Sequence, residues 1–252
     1  MNILIVTSQV TYVPGNYQIL LKEVFKYFEK GQNIRLTGVV SLKSIDRSLL
    51  KKILALPLIG VFDLTKNLLK NLFNYQKGER QKLCDQFNIL HKNFDDLNQE
   101  KAKEWLREEK VDLIINIRTR CLYKKDLLNI PTLGCVNFHH GLLPHYRGTF
   151  CDLYALFEGR EAGFSLHHME KKVDSGIIYD VVTVDEGKEK NYEAYLKKAE
   201  MLEVLSLTKF LNHLEKEETL PSGIPNQSNK PIYTKNPTPG LIKSMRSQGM
   251  IL

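Results

Sequence analysis

Asn137 and His139 stand one residue apart in "VNFHHGLLPHYRG" (136–148). On a β-strand, residues i and i+2 point to the same face, so the amide and the imidazole project together. A neutral N–H donor and an imidazolium aimed at one oxygen stabilise negative charge building up there. One such donor is typically worth about 3 kcal/mol. Farther on, "EKKVDSG" (170–176) carries Asp174, whose carboxylate can accept or relay a proton and raise the pKa of a nearby histidine. Gly176 allows a close backbone approach to a ligand. Taken singly, each residue also has an ordinary reading: a polar loop for the His-His pair, a strand cap for Asn137, a turn former for Asp174.

These residues need a scaffold, and the apolar pattern supplies one. "ILIVTSQ" (3–9), "RLTGVVSL" (35–42), "VDLIINI" (111–117) and "GCVNFHH" (134–140) read as buried strands, and "AGFSLHHM" (162–169) and "IIYDVVTV" (177–184) as two more. Helical periodicity fills residues 17–30, much of 43–76, 95–110 with Asp95 or Asp96 as its cap, and 191–216. Strands alternating with helices predict an α/β fold with an open, mostly parallel sheet. Ligands of such sheets bind beyond the carboxyl ends of the strands, where Asn137, His139 and His140 fall. The loop "VTYVPGN" (10–16) leaves the first strand on the same rim and offers Tyr12 and Asn16 to a ligand. It lacks GxGxxG, which argues against a dinucleotide.

Composition narrows the class. With 252 residues and 42% hydrophobic content the chain can build a substantial core. The absence of a signal-peptide pattern and of any 20-residue apolar run predicts a soluble, cytoplasmic protein with no membrane partner. Cys84, Cys121, Cys135 and Cys151 are scattered, which predicts neither a disulfide nor a metal site. The net charge of +7 favours anionic partners, but the lysines are dispersed, so nucleic acid is not expected. "LTKNLLKNLFNY" (64–75) is amphipathic and is expected to pack on the sheet rather than to form a membrane or partner surface. Trp105 is read as packing, and His91 and His145 as surface residues.

Three segments in order resemble the folate-dependent formyltransferases. Asn137 and His139 match their Asn-x-His pair. Leu142, Leu143, Pro144, Tyr146, Arg147 and Gly148 match the turn that follows. Gly163, His167, Met169, Asp174 and Gly176 match a later segment, with Ser165 in place of its Thr. The resemblance implies a Rossmann-like sheet of the formyltransferase type and 10-formyltetrahydrofolate as formyl donor, without a metal. It implies a catalytic Asn137, His139 and Asp174, and a folate pocket lined by Arg118, Thr119, Arg120, Cys121, Leu122 and Val173. Arg118 and Arg120 are also candidates to grip a carboxylate or phosphate. The acceptor side would take Tyr12, Asn16, His140 and Gly141, with His140 left open between touching the acceptor and facing solvent.

On the same resemblance, residues 1–216 form the catalytic domain, with a helical insertion at 43–76, and 217–252 form a short extension. The ending "YTKNPTPG" (233–240) is similar to that of sugar N-formyltransferases. The implied acceptor is therefore a small, phosphorylated amine, a nucleotide-linked amino sugar first. Methionyl-tRNA, glycinamide ribonucleotide and a non-catalytic folate-binding module are the alternatives, and a homodimer is left open.

Overall fold

A computed structural model describes residues 1–30 and 33–252. Along the chain run β1 (Asn2–Ser8), α1 (Gln18–Phe28), β2 (Arg35–Leu42), α2 (Arg47–Ala55), α3 (Phe62–Gln76), α4 (Glu79–Gln86), β3 (His91–Phe94) and α5 (Glu100–Glu108). They are followed by β4 (Leu113–Ile117), α6 (Lys125–Leu128), β5 (Cys135–His139), β6 (Tyr146–Gly148), α7 (Cys151–Phe157), β7 (Ala162–His168), β8 (Ile178–Asp185), α8 (Tyr192–Glu217), β9 (Ile232–Thr234) and α9 (Pro239–Ser247).

Seven strands form one sheet in the order β3-β2-β1-β4-β5-β7-β8. The pairs from β3 to β5 are parallel, whereas β5–β7 and β7–β8 are antiparallel. The chain runs outward from β1 to β3 and then returns to β4 beside β1. This reversal opens a crevice between β1 and β4, the place where open α/β sheets bind ligands. The continuous apolar runs of β1 and β4 are explained by burial on both faces: Ile3, Ile5 and Ile115 face one core, Leu4, Val6 and Ile114 the other. Trp105 packs in the second core beside Phe94.

Several local features depart from the sequence reading. β3 is a short edge strand with a polar sequence, so periodicity does not reveal it. His91 on it is not a free surface residue: its ring lies 2.9 Å from both Ser41 Oγ and Gln81 Oε1, and burial lowers its pKa to about 4. Neither Asp95 nor Asp96 caps α5, whose N-cap is Gln99. Asp96 instead accepts hydrogen bonds from Asn98 N at 2.8 Å and Cys121 Sγ at 3.1 Å. Residues 43–76 are helical, but only one side of them packs. Leu49 and Leu68 close on Val10, while Leu50, Leu54, Leu58, Phe62, Leu69 and Phe73 stay exposed. No helix among the described residues is long and apolar enough to cross a membrane.

Candidate active site

The carboxyl end of β5 carries Asn137 and His139, and the antiparallel β7 lies beside it with Asn137 opposite His167. Opposed residues of an antiparallel pair project to the same face, so His167 joins the Asn137 side chain. Asn137 Nδ2 lies 3.2 Å from His167 Nε2. His167 Nδ1 lies 2.7 Å from the His168 carbonyl and must donate to it, which leaves Nε2 as the acceptor of the Asn137 amide. At its other end, the Asn137 carbonyl oxygen accepts from Asn116 Nδ2 at 2.7 Å. Asn116 in turn accepts from Thr119 Oγ1 and Tyr123 OH, so the chain of donors fixes which edge of Asn137 is N–H.

Asp174 closes the group. Its Oδ1 stands 3.4 Å from His139 Nδ1 and 3.8 Å from His167 Nε2, and its Oδ2 accepts from Gly148 N at 3.0 Å. His139 Nε2 donates to the Tyr146 carbonyl at 2.9 Å, which turns Nδ1 toward the carboxylate. Burial pulls the His139 pKa below the ordinary histidine value, and the Asp174 charge opposes that pull. Burial also holds His167 neutral, with a pKa lowered to about 4. The structure thus brings Asn137, His139 and Asp174 together and adds His167 between them.

Asp174 takes a left-handed backbone with φ 53°. The turn is held from outside: Arg147 donates to the Asp174 carbonyl, and Asn226 Nδ2 donates to the Asp174 and Gly176 carbonyls at 3.1 and 2.9 Å. Ser165 anchors the loop after β5, donating to Gly141 O and accepting from Leu143 N. Gly141 is packed so tightly that a Cβ there would lie 2.7 Å from His139 Nε2.

The neighbouring residues divide clearly. Leu122 and Val173 are 69% and 56% exposed, apolar side chains turned to solvent on the loops flanking the group. Thr119 is tied to Asn116, Cys121 to Asp96, and Arg120 is exposed. Arg118 is not free to grip an anion. Its guanidinium is buried against Asp152 at 3.2 Å, with Tyr12 OH and His140 Nδ1 as further partners. His140 does not face solvent either: Nε2 lies 2.7 Å from Glu203 Oε1 and Nδ1 3.6 Å from Asp152 Oδ2. Tyr12 stacks on Phe150 at 5.2 Å. Asn16 turns inward, accepting from Thr11 N and Oγ1 and donating to Gln9 O, so its amide braces its own loop. His145 is exposed.

Comparisons with known proteins place this architecture. A protein from Wigglesworthia glossinidia brevipalpis described as "Bifunctional polymyxin resistance protein ArnA" is 35% identical over 103 residues, covering 40% of this chain and 16% of that protein. A "Methionyl-tRNA formyltransferase" from Kosmotoga olearia is 32% identical over 123 residues, covering 48% and 40%. These matches span less than half of the curated relatives' length. The fold is that of a sugar N-formyltransferase from Shewanella sp. FDAARGOS_354, with a TM-score of 0.62 at 16% identity over 93% of this chain and 76% of the other. The model of the family described as "Formyl transferase" matches residues 59–209, more than half of the sequence, and the chain belongs to that family.

Proposed function

We propose that this chain transfers a formyl group from 10-formyltetrahydrofolate to a primary amine, first of all on a nucleotide-linked amino sugar. The observation that carries the reading is the convergence of Asn137, His139 and Asp174 at the crevice rim. The amine nitrogen attacks the formyl carbon, a C–N bond forms and the carbonyl electrons move onto oxygen. Asn137 N–H and protonated His139 stabilise that oxyanion. Asp174, directly or through water, takes the proton the amine loses and returns one to the folate nitrogen as its bond to carbon breaks. Exposed Leu122 and Val173 suit the apolar faces of a pteridine ring system. Because Arg118 is internally paired, any phosphate of the acceptor would meet other groups, with exposed Arg120 the nearest candidate in that loop.

The test is a screen of amines with 10-formyltetrahydrofolate, following release of tetrahydrofolate. Amino-sugar nucleotides are expected to react fastest. Methionyl-tRNA or glycinamide ribonucleotide reacting faster would reassign the acceptor, and no tetrahydrofolate release with any amine would remove the activity.

A further inference from the structure

The helices after β2 carry a surface that formyl transfer does not use. Exposed positions of α3 include Phe62, Lys66, Leu69, Lys70 and Phe73, continued by Lys77 at its C-cap, along one stripe of the helix. The outward positions of α2 read Arg47, Leu50, Lys51 and Leu54, and the turn between the helices adds Leu58, 85% exposed. Large apolar side chains and cations therefore alternate on the exposed faces of both helices. Lys77 Nζ caps the Phe73 ring at 4.2 Å.

Residues 47–77 contain six basic residues and one acidic residue, Asp63, so this segment holds +5 of the formal net charge of +7. The interior of the pair is already satisfied, since Leu49, Leu68 and Val10 close on one another. What remains outside is an apolar stripe that nothing among the described residues covers.

We propose that the α2–α3 hairpin docks the protein onto an anionic bilayer surface. Interfacial helices carry this signature of Leu and Phe side chains that enter the headgroup region beside Lys and Arg that pair with lipid phosphates. Charge decides against a second copy on this face, because two patches of +5 would have to meet. Nucleic acid would use the cations but leave Leu50, Leu54, Leu58 and Leu69 without a role. The hairpin is rigidly joined to the candidate site: Asn71 Nδ2 donates to the Thr11 and Val13 carbonyls at 2.9 and 2.7 Å, in the loop that bears Tyr12. A docked hairpin holds the rim of the crevice next to the membrane.

The experiment is sedimentation of the full chain with vesicles of phosphatidylcholine alone or with one third phosphatidylglycerol, at low and high salt. Binding to the anionic vesicles is expected, and high salt should weaken it. K66E/K70E should weaken it by about 25-fold or more, from roughly a factor of five lost per cation near such a surface. F62S/F73S should weaken it with melting temperature kept, and L58S, on the exposed turn, serves if that pair destabilises the helix. Equal sedimentation with both vesicle types, or hairpin variants that bind like the parent chain, would overturn the proposal. So would light scattering that shows a dimer dissolved by F62S/F73S, or tRNA binding that K66E/K70E abolishes while vesicles are ignored.

Discussion

Replacing Asp174 by Asn changes one charge and almost no volume. The carboxylate oxygen lies 3.4 Å from His139 Nδ1, and both side chains are more than nine-tenths buried. At an effective dielectric constant near 20, a unit charge pair at that separation is worth about 5 kcal/mol. Water entering with the substrates weakens it, and about 3–4 kcal/mol is expected to survive, so kcat should fall by roughly 10² to 10³. Gly148 N still finds an oxygen to donate to, which keeps the turn intact. The sign of the pH effect follows from the opposing influences on His139. Burial lowers its pKa and Asp174 raises it, so the variant needs a lower pH to form the imidazolium. Its rate should therefore keep climbing toward acid pH where the parent rate has levelled. Single-turnover release of tetrahydrofolate from pH 5.5 to 8.5, with melting temperatures alongside, measures both effects. A variant within threefold of the parent rate and with an unmoved profile would refute the role of Asp174.

Other expectations concern the surroundings. His140→Ala strips the partner from Glu203 inside the protein, neither oxygen of which has another hydrogen bond among the described residues. It should cost about 3–5 kcal/mol of stability, read as a lower melting temperature, while kcat falls less than tenfold; an unchanged melting temperature refutes this. Gly141→Ala should lower kcat about 10- to 100-fold, because the new methyl displaces an imidazole 2.7 Å away and about 2 kcal/mol of misplacement is enough; full activity would show that the loop yields freely. Burial raises the Glu200 pKa to about 7, so the carboxyl's contribution to stability is present below its unfolded value near 4.5 and is lost as pH rises through 7. Glu200→Gln should accordingly stabilise by about 1–3 kcal/mol at pH 8 and by nothing measurable at pH 5; equal melting shifts at both pH values would refute it.

The strands of the parallel half were legible because two-sided burial writes itself as continuous Ile, Leu and Val. The Asn137-x-His139 spacing likewise announced a shared face before any fold was known. His167 received no role because its meaning depends on the antiparallel register that sets it opposite Asn137. Alternation along β7 identifies a face but not the neighbour. The burial of His140 was invisible for a related reason: its partners sit on α7 and α8, and nothing local to "NFHHG" encodes Asp152 or Glu203. Arg118 looked like an anion grip because a loop arginine ordinarily reaches solvent. Only the packing of Tyr12 and Asp152 around it reveals a structural cation. The amphipathic 64–75 stretch correctly indicated a helix, but periodicity cannot tell how wide a stripe the core will cover, and here it covers one side.

The clasp that Asn226 places on the Asp174 turn sets an order of assembly. The two residues are 52 positions apart, and Arg147 reaches both, donating to the Asn226 carbonyl and side-chain oxygens at 3.2 and 2.9 Å. At about 5–20 residues per second of synthesis, Asp174 leaves the ribosome roughly 3–10 s before the residue that secures it. Throughout that interval Asn137 and His139 can already stand on a folded β5, while the Asp174 turn has Arg147 and Gly148 as partners but lacks its Asn226 brace. The brace that Asn226 adds to the Asp174 turn thus arrives only after all seven strands of the main sheet have been synthesised.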